Sequence, residues 1–141
     1  MVASYPRPFS DFALEVDVRR LAGPESGTYG VLLRHYPTID YTGIEYYYYV
    51  RIDPSEGAFA ILKWDAPNWT WLQFPTASPH IQRGNANNHF RVECRGSQIS
   101  VSVNGAHLAT VSDSSFGSGY IGLSAAGDGI HVHFDNFLVN P

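Results

Sequence analysis

From His89 to Val111 the chain reads HFRVECRGSQISVSVNGAHLATV. Phe90, Val92 and Cys94 alternate with Arg91, Glu93 and Arg95, and Gly96-Ser97 then breaks the pattern. Ile99, Val101 and Val103 alternate in turn with Gln98, Ser100 and Ser102. Asn104-Gly105 follows, a strong hairpin signal because both central residues of a type I′ turn need positive φ. Ala106 to Val111 is the return strand. A side-chain period of two with one apolar face predicts a sheet packed on one side and wet on the other. Three strands cannot cover that face alone, so the remaining chain must supply a second layer.

The rest of the chain carries the same period. Residues 1–8, with Pro6 and Pro8, form an extended lead-in, and a single domain is expected over 9–140. In 12–19, Phe12, Leu14, Val16 and Val18 alternate with Glu15, Asp17 and Arg19, which reads as a strand. Residues 22–28 are a loop, 29–36 a strand whose Val31-Leu32-Leu33 run leaves its inward face open, and 37–43 a second loop. In 45–52 (EYYYYVRI), Tyr46, Tyr48, Val50 and Ile52 are expected inward and Glu45, Tyr47, Tyr49 and Arg51 on the other face. Asp53 to Gly57 is a turn, 58–64 a strand, 65–68 a turn and 69–73 a strand. Residues 74–88 have two prolines and no clean period, so a long loop with room for one helical turn is expected. A loop at 112–118, strands at 119–125 and 130–139 and a turn at 126–129 complete the chain. In the last strand Ile130, Val132 and Phe134 share one phase and Phe137 and Val139 the other. A β-bulge at Asp135-Asn136 would return both sets to the core. About ten strands and no helix of ordinary length predict an all-β, antiparallel two-sheet sandwich.

Composition narrows the function classes. A chain of 141 residues suits one domain with a real core. Its net charge of -4 and single lysine, Lys63, leave no basic footprint for nucleic acid. No apolar run approaches a membrane span. The one cysteine, Cys94, excludes an internal disulfide and falls on the apolar face, where it is expected to be a buried, inert thiol. Met1-Val2-Ala3 reads as an appended start or as the edge of a domain cut from a longer protein. The aromatic fraction, 14%, is high for a chain with only 16% charged residues, and it directs attention to the faces those rings occupy.

The segments GTYGVLLR (Gly27 to Arg34), YYYYVRID, WTWL, FRVECRGSQISVSVNG, SSFGSGYIGL and VHFDNFLV occur in that order. Over Phe9 to Val139 this order resembles the concanavalin A-like jelly-roll superfamily of lectins and glucanases. It is most similar to laminin-G-like and 3-keto-disaccharide-hydrolase-like domains of bacterial surface and multidomain proteins. The resemblance implies a jelly-roll sandwich and an extracytoplasmic location. It leaves the chemistry open, because one superfold hosts enzymes, lectins and spacers.

Four groups of residues are candidates for chemistry. Retaining glucanases of the superfamily carry an E-x-D-x-(x)-E strand, and Glu15 and Asp17 fit its first two places. Arg19 or Arg20 stands in the third, where it would keep both carboxylates ionised, the wrong state for a general acid. The second group is aromatic. Tyr47 and Tyr49 share a face with Arg51, Arg34 and Tyr36 share one on the neighbouring segment, and Trp64, Trp69 and Trp71 surround one hairpin. Sugar rings stack their C–H faces on such rings while arginine bonds hydroxyls; alternatively, the same side chains fill the core. Third, His131 and His133 point together and with Asp135 are weak metal candidates, short of the three or four ligands zinc needs unless His107 lies adjacent. Fourth, calcium is frequent in the superfamily, but it takes about six to eight oxygens, and Asp128, Asp135 and Asn136 have no further acids beside them. For Asp135-Asn136, side chains satisfying the backbone of a bulge are expected instead.

The expected function is therefore a non-catalytic module binding a glycan or another polar small ligand, without a cofactor. The alternatives are a glycoside-hydrolase-like enzyme and a structural domain that packs on another protein domain.

Overall fold

The computed structural model describes residues 3–23, 27–36, 44–127 and 129–141. The predicted loop at 37–43, part of that at 22–28, and Asp128 lie outside the described residues. Eleven strands follow in order: β1 (Ala3–Ser4), β2 (Phe12–Ala22), β3 (Thr28–Tyr36), β4 (Tyr46–Asp53), β5 (Ala58–Asp65), β6 (Asn68–Ala77), β7 (Asn88–Arg95), β8 (Gln98–Val103), β9 (Ala106–Ser112), β10 (Tyr120–Ala126) and β11 (His131–Asn140). No helix occurs among the described residues. The first sheet runs β1-β10-β3-β4-β5-β6 and the second β11-β2-β7-β8-β9, with every pair antiparallel.

The layers form because each sheet has one apolar face to hide. Phe12, Leu14, Val16 and Val18 of β2, Phe90, Val92 and Cys94 of β7, and Ile99, Val101 and Val103 of β8 are buried against Tyr29, Val31, Leu33, Tyr48, Val50, Ile52, Phe59, Ile61 and Ile121 of the first sheet. Burial in this core pushes the Cys94 thiol up to about 12, so it stays protonated. The Asn104-Gly105 turn has φ of 53° and 83°, the left-handed pair a type I′ hairpin needs. The expected bulge in β11 is present. Register shifts between Asp135 and Leu138, Asn136 has φ 53°, and Val132, Phe134, Phe137 and Val139 all pack on the core.

Three features depart from the sequence pattern. The lead-in joins the first sheet: Ala3 and Ser4 pair with β10, the Tyr5 N–H donates to the Ile121 carbonyl, and Phe9 bridges Gly119. Strand β6 continues to Ala77 because register shifts opposite Ile61 absorb its irregular period. In β3 the register shifts between Leu33 and Tyr36, and Arg34 takes φ 50°. That shift settles the ambiguous phase of this strand and decides where Arg34 goes.

Candidate functional site

The outward face of the first sheet carries a second apolar cluster. Leu32, Tyr49, Ala60 and Leu62 are buried there although they point away from the sandwich core, and Tyr47 packs on them. Strand geometry explains the set: Tyr47, Tyr49 and Arg51 alternate outward from β4 while Tyr46, Tyr48, Val50 and Ile52 alternate inward. Cross-strand pairing aligns Tyr47 with Trp64 and Trp64 with Trp69, and in the next outward row Leu32 with Tyr49, Tyr49 with Leu62 and Leu62 with Trp71. Tyr47 meets Trp69 edge-on at 5.9 Å between centroids, and Trp64 lies 4.7 Å from Trp69. The Arg51 guanidinium lies 5.4 Å from the Trp71 centroid, a cation–π distance.

Gly30 makes room for this floor. A Cβ there would stand 2.0 Å from the Val50 carbonyl oxygen and 2.8 Å from the Tyr49 ring. The phenol therefore lies across β3, and its buried hydroxyl ends beside Ser124 and Thr28 without a well-formed hydrogen bond. Burial pushes the Tyr49 hydroxyl pKa up and that of Tyr47 up to about 12, so both stay neutral phenols.

His35 and Glu45 close one end of the face. His35 lies edge-on to Tyr47 at 5.3 Å, its Nε2 is 3.5 Å from Glu45 Oε2, and Trp64 Nε1 donates to Glu45 Oε1 at 3.0 Å. Burial pulls the His35 pKa down despite the neighbouring carboxylate. Sequence reading placed Glu45 on this face but missed His35, which reaches it only through the irregularity at Arg34.

Of the eight aromatic and arginine candidates, six share this face: Tyr47, Tyr49, Arg51, Trp64, Trp69 and Trp71. Tyr49 is floor rather than rim, only 8% exposed, whereas Trp69 is 53% exposed. Arg34 and Tyr36 do not join them. The Arg34 side chain is 2% exposed and its guanidinium is consumed internally. Nε and Nη2 donate to the Ser10 carbonyl at 3.0 and 2.7 Å, and Nη1 donates to the carbonyls of Gly96 and Phe116 at 2.7 and 2.9 Å. Tyr36 stacks on Tyr46, which in turn stacks on Phe116. The physical reason is the left-handed backbone at Arg34, which breaks the strand alternation.

The acidic strand lies on the other sheet, away from the aromatics. His89 stands between its carboxylates, with Nε2 2.9 Å from Glu15 Oε1 and Nδ1 2.8 Å from Asp17 Oδ1. Asn136 Nδ2 donates to Asp17 Oδ2 at 2.7 Å, and together with His89 it holds that carboxyl below its ordinary range. An ionised, fully bonded Asp17 is no proton donor. His131 and His133 are exposed on β11, and Asp135 Oδ1 accepts the Asn136 N–H at 2.8 Å, satisfying the bulge backbone. Among the described residues no three His, Cys, Asp or Glu side chains group to hold a metal ion, and no helix is long and apolar enough to cross a membrane.

Known proteins share this fold. The carbohydrate-binding module CBM66 of Bacillus subtilis superposes with a TM-score of 0.80 at 19% identity, over 96% of this chain and 78% of that one. The galectin LEC-6 of Caenorhabditis elegans superposes at 0.62 with 21% identity, over 94% and 84%. A putative glycosyl hydrolase of Parabacteroides distasonis superposes at 0.68 with 15% identity, over 97% and 81%. At these identities the likeness is one of fold, the concanavalin A-like sandwich. No curated protein matches by sequence. One family matches over residues 2–140, and by that match the chain belongs to the 3-keto-alpha-glucoside-1,2-lyase-like domain family.

Proposed function

We propose that the chain is a non-catalytic carbohydrate-binding module whose ligand lies on the outward face of the first sheet. One observation carries the reading: Trp69 and Trp71 remain 53% and 39% exposed beside Tyr47 and Trp64, on a face whose floor is already packed. Rings in that setting are not needed to seal the core, and they offer apolar planes to the C–H faces of a sugar. Arg51 supplies donors for hydroxyls at the same place. The sandwich shared with a carbohydrate-binding module and a galectin supports the reading without identifying a sugar.

A second reading is an enzyme acting on carbohydrate. Family membership favours it, as does the position of Glu45 and His35 at the end of the aromatic face. Against it, Glu45 already accepts the Trp64 indole, and Glu15 and Asp17 are bridged by His89 on the other layer.

A glycan array probed with the wild type, Tyr47→Ala and Trp69→Ala tests both. Retention lost in either variant, with the glycan recovered intact, is expected. No retention at all would remove the first reading. Cleavage that disappears in Glu45→Gln would establish the second.

A further inference from the structure

The exposed rings of this face are not clustered; they follow one strand. Trp69, Trp71 and Phe74 all belong to β6, the edge of the first sheet, and are 53%, 39% and 67% exposed. Plain alternation would put Phe74 on the opposite face from Trp71. Register shifts prevent that: Leu62 pairs with Trp71, Ile61 with Gln73 and Phe59 with Thr76. The first extra residue is absorbed inward, where Leu72 packs on the core. Phe74 thereby stays with Trp71, ring centroids 5.9 Å apart and planes 29° from parallel. That separation is too large for face-to-face contact, so the two rings are offset. Trp69 and Trp71, two residues apart on a strand, are separated along it by roughly 6.5–7 Å. Three rings thus recur at intervals of the order of one sugar unit in an extended polysaccharide. Arg51 sets donors beside the middle ring, and beyond it a small cavity of about 70 Å³ is lined by Arg51, Asp53, Glu56, Ala60 and Pro75.

We infer that the site takes an internal stretch of a linear glycan chain, laid along β6 over Trp69, Trp71 and Phe74, rather than a single terminal sugar. This rests on the carbohydrate-binding reading and adds to it the shape of the ligand. The edge position fits, because a chain lying along an edge strand leaves both its ends free in solvent. The bulges fit as well, since their geometric consequence is to keep the third ring in line.

Ladders of linear cello-, laminari-, xylo- and fructo-oligosaccharides, from one unit to six, test it by titration calorimetry. For the ladder that binds, affinity should climb from the monosaccharide to the trisaccharide and then level off. Phe74→Ala, a substitution at an exposed ring, should lower trisaccharide affinity about five- to tenfold, as loss of one aromatic contact implies. If the monosaccharide binds as tightly as the trisaccharide, or if Phe74→Ala has no effect on any length, the inference is overturned while carbohydrate binding stands. Binding to none of the ladders overturns the inference, and carbohydrate binding falls with it only if the array also retains nothing.

Discussion

Replacing Arg34 by methionine isolates what this arginine does. The substitution keeps the stem and removes all five N–H donors. In the wild type those donors hold carbonyls from three separate segments: Ser10 ahead of β2, Gly96 in the β7–β8 turn and Phe116 in the loop after β9. Each charge-assisted bond is worth about 1.5–3 kcal/mol. Stripping three carbonyls would then cost roughly 5–9 kcal/mol if nothing compensated. Release from burying a cation offsets part of this, leaving a net loss of about 3–5 kcal/mol. With a urea slope near 2 kcal/mol/M, the unfolding midpoint should fall by roughly 2 M. Arg34→Lys should recover less than half, because one ammonium cannot span three carbonyls in the plane of a guanidinium fork. The assay is urea unfolding followed by tryptophan fluorescence, with glycan retention measured on the folded fraction. A loss below about 1 kcal/mol, the worth of an exposed ion pair, would mean that the guanidinium does not tie these segments together. So would weakened retention at unchanged stability, which would return Arg34 to the recognition face.

Other perturbations address separate parts of the structure. Gly30→Ala places a Cβ 2.0 Å from the Val50 carbonyl oxygen, a backbone atom that cannot rotate away. It should destabilise by about 1–3 kcal/mol or more in urea melts and displace the Tyr49 ring. At Asp113, burial pushes the carboxyl pKa up, but hydrogen bonds from Tyr48, Ser115 and Lys63 together outweigh it and hold the group down to about 2 from 3.8. Its contribution of about 2 kcal/mol is present above pH 3.8 and vanishes as pH falls through about 2, so Asp113→Asn should flatten that acid limb of the stability profile. Both ring nitrogens of His89 face carboxylate oxygens that only accept, so the ring must carry both protons, and hydrogen bonds to Glu15 and Asp17 raise its pKa above 6.5. That stabilisation is full below pH 6.5 and is lost as pH rises through the raised value. His89→Gln should remove this alkaline decline, and NMR titration of His89 reads it directly.

Period-two burial was legible wherever the backbone stayed regular. The β7–β9 meander, the inward and outward tyrosines of β4 and the bulge in β11 all followed from side-chain phase. The bulge was readable because Phe134 and Phe137 stand three apart, a spacing no regular strand can bury on one face. What the sequence could not show lies where registers shift. Alternation puts Arg34 and Tyr36 on one shared face, and the left-handed backbone at Arg34 keeps both away from the aromatic face. The same shift delivered His35 to the aromatic face unseen. Phe74 looks like the start of a loop because two register shifts in β6 hide its period. The imidazole between Glu15 and Asp17 comes from a strand more than seventy residues away, and nothing local signals it.

The proposed recognition on the outward face of the first sheet can be read by chemical-shift mapping with whichever glycan the array retains. The indole N–H signals of Trp64, Trp69 and Trp71 and the amides around Tyr47 and Arg51 should move together, while Glu15, Asp17 and His89 on the other layer stay still. Shifts centred on His89 with silent tryptophans would contradict the account.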